Sequence, residues 1–301
     1  MGKHLGTFRS SYLVALSCVG SFLFAYDTGI VGGILTLKSF QKDFGFTAGQ
    51  KDNVSSLSAS LLQAGGKSSC DSSSGMYWTV NRHPAFFSCL FVWPFTARFG
   101  RRWAIVLSSF VFNIGAIMQL FYTQGLATWY AGRVISGLGV GIATVIIPMY
   151  TAEMAPKHLR GRLGSGFQLA FTLGVMVSYF VDYGVSAHVA PTSRQWRIPV
   201  GLQLVPGGIL GLGMLVTRES TRWLAKRGRL EEAMASLVWV RGGEETAEVE
   251  EEFADILAGI EEEERATAGV TWKEYFLPSN RYRLFIAVTI QIGMAPDHGY
   301  A

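Results

Sequence analysis

The stretch "GRVISGLGVGIATVIIP", residues 132–148, decides between two folds. Its glycines, Gly137, Gly139 and Gly141, could belong to a phosphate-binding loop between a strand and a helix. They could equally be the small residues that let two membrane helices approach closely. The first reading fails on context: no strand-like run precedes the glycines, and the segment stays apolar throughout. It therefore reads as a membrane span, and its single charge, Arg133, sits where charge is expensive.

Composition supports that reading outward from this stretch. The chain has 301 residues, 49% hydrophobic and only 16% charged, where a soluble domain carries about 25% charged residues. The mean hydropathy is +0.27. A net charge of +4 raises nucleic acid as a partner, but the basic residues fall in short clusters between apolar runs, as in loops of a membrane protein. No nucleic-acid partner is expected. The three cysteines, Cys18, Cys70 and Cys89, have no metal-ligand spacing. There is no phosphate loop or nucleophile–base set, so neither a cofactor nor enzymatic chemistry is expected.

A span needs about 20 mostly apolar residues, and five segments meet this: 11–37, 103–123, 126–150, 163–185 and 197–216. The N-terminal run continues past Asp27 without a cleavage site and reads as an uncleaved span. Between the first and the second of these five, residues 53–66 begin another span, residues 67–89 interrupt it with a serine-rich polar stretch, and residues 90–102 resume it. The interruption is either a genuine polar loop or a translated intron; we favour the intron, because deleting 67–89 joins its flanks into one span of normal length. The expected fold is all-α: a six-helix bundle over residues 1–217, a cytoplasmic helical linker over 218–283, and the start of a seventh helix over 284–301. In the linker, Val249, Phe253, Ile256, Leu257 and Ile260 recur at helical spacing, predicting a surface helix docked on the span ends. Basic clusters before the first span and after the second, fourth and sixth place the N-terminus in the cytoplasm.

Lone ionisable residues inside spans are candidates for function. Asp27, in "SFLFAYDTGIVGGIL" (21–35), and Arg133 are the two best. Pairing between them would offset much of the cost of burying each. The pair is either a static packing device or a titratable acid held by a fixed cation; since arginine stays charged, protonating Asp27 would release Arg133 and couple a proton to helix movement. Gln168 in the fifth span and Gln203 in the sixth are lone amides that suit sugar hydroxyls, and interhelical bonding is an equal alternative.

These segments match a familiar set of motifs. "GRVISGLGVGIATVIIPMYTAEMAPKHLRGRLGSGFQ" (132–168) follows the pattern G-R-x-x-x-G-x-G-x-G, then P-x-Y-x-x-E, then A-P-x-x-x-R-G. "YDTGIVGGIL", "RFGRR" and "RESTRWLAKRGRLEEA" follow the first-helix, second-to-third-loop and post-sixth-helix motifs. The chain resembles the sugar porter family of the major facilitator superfamily, and its fungal members in particular. The resemblance implies an alternating-access membrane transporter for a monosaccharide or polyol, with protons, a sugar and the lipid bilayer as partners and the plasma membrane as location. By the same resemblance Asp27 matches the proton-coupling acid, Arg133 its partner, and Gln168 the sugar-binding amide; Gln203 falls where some proton-coupled members carry Glu. Arg101, Arg102, Glu153, Arg160, Glu219 and Arg222 match a cytoplasmic ion network. The chain departs from the family pattern at Trp93 and Ala97, which replace a Gly and an Asp, and at Arg218 and Thr221, which replace two prolines. It stops in "IQIGMAPDHGYA", where the family continues into a seventh helix and a second half. A proton symporter is thus the expectation, with a transport-inactive sugar sensor or a non-functional truncated product as alternatives.

Overall fold

The computed structural model describes residues 2–45, 54, 84–121, 125–156, 160–268 and, near the C-terminus, 280–283, 285, 286 and 289, with the side chains of 2–5, 84–91, 160, 162 and 163 excepted. These residues are helical or lie in short connections; no strand occurs among them. The helices are α1 (Gly2–Ile34), α2 (Lys38–Phe44), α3 (Pro84–Phe99), α4 (Arg101–Phe121), α5 (Leu126–Met154), α6 (Arg160–His188), α7 (Arg194–Leu202), α8 (Leu204–Val216), α9 (Thr221–Lys226), α10 (Leu230–Arg241) and α11 (Ala247–Thr267). Five stretches among the described residues are long and apolar enough to cross a membrane: Gly6–Ile34, Arg101–Phe121, Leu126–Met154, Gly164–His188 and Arg194–Val216.

Two differences from the sequence reading have physical reasons. Residues 84–89, assigned above to the interrupting segment, form the first turns of α3; Pro84 stands at the first helical position, which favours proline, and "PAFFSC" is apolar enough to continue into 90–99. Residues 67–83, and all of 53–66 except the helical and buried Val54, lie outside the described residues. The sixth span, continuous in hydropathy, is divided at Gln203 into α7 and α8. Pro206 has no N–H to offer the carbonyl four residues back, at Leu202, where α7 ends.

Glycine sets the closest helix pairings. On the α4–α5 seam, a Cβ on Gly139 would lie 2.6 Å from the Ser108 carbonyl oxygen and 2.7 Å from the Phe112 nitrogen. Gly132 packs in the same way against Gln119 and the Gly115 carbonyl. On the α1–α6 seam, Ala25, Gly29 and Gly33 recur every four residues and meet Gly174, Ser178 and Asp182, also four apart. Such small-residue ladders permit close approach of membrane helices.

The buried side chains form two apolar clusters stacked along the helix axes. One includes Leu16 and Leu23 of α1, Phe112 of α4, Val140 and Ile147 of α5, and Leu210 of α8. The other includes Tyr26, Ile30 and Ile34 of α1, Phe40 and Phe44 of α2, Trp129 of α5 and Trp196 of α7. In the second, the Phe40 ring is 5.0 Å from Trp129 and 5.7 Å from Trp196, both edge-to-face, a favoured geometry for aromatic pairs. Trp196 donates its indole N–H to Asp43 at 2.8 Å.

The chain divides into two compact units, Met1–Glu250 and Glu251–Ala301. Residues 218–250, read above as part of the linker, therefore belong with the bundle: Arg241 donates to the Met154 carbonyl at 3.3 Å, and Arg9 donates to the Trp239 carbonyl at 2.8 Å. The second unit contains most of α11, whose Ile260 is buried and whose Phe253, Ile256 and Leu257 are half-buried among exposed acids.

A buried ion pair as the candidate functional site

Asp27 and Arg133 meet between the two apolar clusters. On α1, Leu23 belongs to one cluster and Tyr26 to the other, so Asp27 sits at their boundary. On α5, Arg133 lies between Trp129 of one cluster and Val140 of the other. Arg133 Nη1 donates to Asp27 Oδ1 at 2.8 Å, and neither side chain has any exposed surface. The guanidinium carbon stands 5.1 Å from the centre of the Trp129 ring, one turn back on the same helix, a cation–π distance. The α4–α5 glycine seam places it: Gly132 immediately precedes Arg133, and Ser136, one turn on, accepts from Gln119 of α4 at 3.3 Å.

The pair is not saturated. Asp27 Oδ2 and Arg133 Nε and Nη2 have no hydrogen-bond partner, although a carboxylate can accept at both oxygens and a guanidinium carries five N–H donors. A buried pair with free bonding capacity on both members is poorly compensated for its desolvation. Chemically, Asp27 is the member that can exchange a proton, and Arg133 is the fixed charge against which the exchange is balanced.

The two amides differ in setting. Gln168 is exposed on α6, with neighbours Leu169 and Leu173 also exposed. Gln203 is fully buried at the α7–α8 break, and neither its Oε1 nor its Nε2 has a partner.

At the end of the bundle where α1 begins, the charged residues form a set of clamps. Arg101 pairs with Glu153 of α5, Nε to Oε2 at 3.2 Å. Ser220 donates to Glu153 as well. Glu219 contacts the backbone of its neighbours. Its Oε1 accepts the backbone N–H groups of Arg101 at 2.8 Å, Arg102 at 3.0 Å and Ser220 at 2.9 Å, so the carboxylate sits on the N-terminus of α4, where the helix dipole and free N–H groups favour an anion. Gly100, with φ of 95°, makes the α3–α4 turn; a side chain there would run into the Glu219 carboxylate. The Arg102 guanidinium turns to the end of α8 and donates to the carbonyls of Met214 at 3.2 Å and Leu215 at 2.8 Å. Trp223 Nε1 and Arg227 both donate to the Ala97 carbonyl, at 3.0 and 2.6 Å. Arg222 is half-buried on α9, and Arg160 opens α6 with its side chain outside the described set.

One buried acid escaped the sequence reading. Asp182, on α6, is 6% exposed, and neither carboxylate oxygen has a partner. The signal was the same one that singled out Asp27, a lone carboxylate inside the predicted span 163–185.

Five apolar helices around an intramembrane ion pair define a multi-pass helical membrane protein. The family model for "Sugar (and other) transporter" matches residues 13–296, and the chain belongs to this family, the sugar porters of the major facilitator superfamily, whose members are transporters and not enzymes. A "Probable quinate permease" of Neosartorya fischeri is 35% identical over 295 residues, covering 94% of this chain and 51% of the relative. A "Quinate permease" of Emericella nidulans is 36% identical over 241 residues, 79% of this chain and 42% of the relative. The chain thus spans about half the length of these relatives. Among solved structures, the proton:xylose symporter XylE bound to 6-bromo-6-deoxy-D-glucose superposes with a TM-score of 0.70 at 22% identity, over 88% of this chain and 55% of that one. An inward-open form of XylE from E. coli gives a TM-score of 0.65 at 22% identity, over 84% and 56%. These structures share the fold.

Proposed function

We propose that this chain forms the N-terminal bundle of a proton-coupled transporter for a monosaccharide or related polyol, with Asp27 as the proton acceptor and Arg133 as its fixed partner. The observation that carries the reading is the fully buried, unsaturated ion pair between two apolar clusters. A static structural pair would gain from filling its remaining bonding positions. A pair that must open when a proton arrives needs to be held less tightly.

The exposed face of α6 supports a solute path. Polar side chains within membrane spans face a bundle interior or a water-filled cavity, because lipid cannot hydrogen-bond them. Gln168 and Thr172 are exposed on α6, so this face makes one wall of a polar cavity completed by further protein, and Gln168 is the amide that contacts hydroxyls there. Gln203, fully buried with both amide atoms unpartnered, is the second amide proposed to meet the solute. The N-terminus is cytoplasmic in this reading, since Arg9, Arg101, Arg102 and Arg241 all gather at the end where α1 starts. There the Arg101–Glu153 pair and the Glu219 cap lock the cytoplasmic end until the solute and proton are bound, and Arg160 and Arg222 are further proposed members of this network. The plasma membrane is the proposed location.

A second substrate reading has its own support. Several relatives at 34–36% identity are named as quinate permeases, so a polyhydroxylated ring acid is the alternative to a neutral sugar. Uptake of labelled glucose and of labelled quinate into proteoliposomes holding this chain, at two external pH values, separates the readings. Faster uptake of one solute at the more acidic external pH is expected. No uptake of either at both pH values would overturn the transport reading for this chain.

A further inference from the structure

We propose that Asp182 is a second proton-binding site, located on the α1–α6 seam beyond the Asp27–Arg133 pair and occupied while the seam is closed. The proposal deepens the transport reading but is tested without transport.

The seam explains why the acid is there and what it lacks. Ala25, Gly29 and Gly33 of α1 face Gly174, Ser178 and Asp182 of α6 in a ladder with a period of four. Asp182 takes the last rung, where the pattern calls for a small residue. Its carboxylate fits only because Gly33 has no side chain; a Cβ on Gly33 would overlap it. The same close approach excludes water and donors, leaving both oxygens unpartnered at 6% exposure. A carboxylate with no donor in an apolar seam binds a cation or the seam opens. A metal ion would need several oxygen ligands, and among the described residues no group of three or more His, Cys, Asp or Glu side chains could hold one. A proton needs no ligand cage.

The groups around Asp182 are consistent with a site separate from Asp27. From α1, Tyr26 lies within electrostatic reach of both Asp182 and Asp27, and its hydroxyl donates to the Pro199 carbonyl of α7 at 3.1 Å. The cations of α7, Arg194 and Arg197, line a different cleft with Leu120 and Val205. On α6 itself, Tyr179, Tyr183 and His188 are exposed. Arg133 is engaged by Asp27. Gly33 and Asp27 are six residues apart, about 9 Å along the helix at 1.5 Å per residue, and they face different neighbours: Asp27 meets Arg133 of α5, and Gly33 meets Asp182 of α6. Closing the seam at Gly33 keeps the proton on Asp182; parting α1 from α6 there hydrates the carboxylate and releases it.

The experiment is covalent labelling of the whole chain in lipid nanodiscs with dicyclohexylcarbodiimide, which reacts with protonated carboxyls in apolar surroundings, read by peptide mass spectrometry. Labelling is followed from below the ordinary carboxylate range to above the imidazole range. The expected result is modification of Asp182 that declines along a single-proton titration curve as pH rises, persists in Asp27→Asn, and shifts in Gly33→Ala, which wedges the seam while keeping the acid. Modification independent of pH would show a permanently neutral packing group and overturn the proposal. So would an Asp182 that stays unmodified at every pH in the folded chain while being modified at acidic pH in the denatured one. A flat curve at Asp182 beside pH-dependent uptake would sink this site and leave the role of Asp27 intact.

Discussion

Replacing Gly139 with alanine tests whether the α4–α5 seam is as close as its geometry requires, and Gly208 supplies the control. The added Cβ at 139 would stand 2.6 Å from the Ser108 carbonyl and 2.7 Å from the Phe112 nitrogen, where ordinary contact begins at 3.4 Å. Both obstacles are backbone atoms, so no rotamer change relieves them; the helices must part by about 0.8 Å (3.4 minus 2.6), or the turn must deform. Overpacking of this kind costs about 1–3 kcal/mol. At Gly208, also mid-helix, an added Cβ meets nothing within 4 Å. The gain in helix propensity from Gly to Ala, roughly 1 kcal/mol, is common to both substitutions and cancels in their difference. The two variants should therefore differ by about 1–3 kcal/mol, or several degrees in melting temperature at roughly 2–4 °C per kcal/mol. The assay is thermal unfolding in detergent followed by tryptophan fluorescence. Equal melting temperatures for Gly139→Ala and Gly208→Ala would refute the argument that backbone contact at this seam fixes the position of Arg133.

Three further outcomes follow from the same geometry. Glu219→Gln removes the charge from the N-terminus of α4 and turns an amide donor toward the Arg102 N–H; a loss of about 1–2 kcal/mol is expected, and an unchanged melting temperature would show that the cap contributes nothing. Trp196→Ala empties the centre of the Phe40–Phe44–Trp129 cluster and should cost about 3–5 kcal/mol; a loss below about 1 kcal/mol in the same assay would mean that the cluster collapses freely. Asp27→Asn strands a guanidinium that cannot discharge, whereas Arg133→Met leaves a carboxyl that can do so by binding a proton. The first should destabilise by about 3–5 kcal/mol and the second by clearly less, measured by comparing melting temperatures; the reverse order would contradict the pairing.

The spans were legible because membrane helices must hide every backbone polar group in a run of apolar residues, a property written directly in composition. Asp27 and Arg133 stood out for the same reason, as charges inside such runs. Their contact depends on helix rotation, which hydropathy does not encode; it emerges from the Gly115, Gly132 and Gly139 seam acting through space. The contact made by Glu219 was hidden for a related reason. Sequence shows an acid among arginines, but only the folded chain brings this acid onto the backbone N–H groups of α4. Asp182 carried a readable signal, yet what makes it unusual is the partnerless seam around it, visible only once Gly33 is placed opposite. The break at Gln203 was foreshadowed by Pro206, though the unbroken hydropathy of 197–216 concealed it.

The central claim is that Asp27 carries the proton that moves with the solute. The most direct test compares two modes of transport by Asp27→Asn in proteoliposomes: exchange of labelled for unlabelled solute with no gradient, and accumulation driven by an imposed pH gradient. The account predicts that exchange persists while gradient-driven accumulation is lost. Accumulation in Asp27→Asn with the same pH dependence as the unsubstituted chain would contradict it.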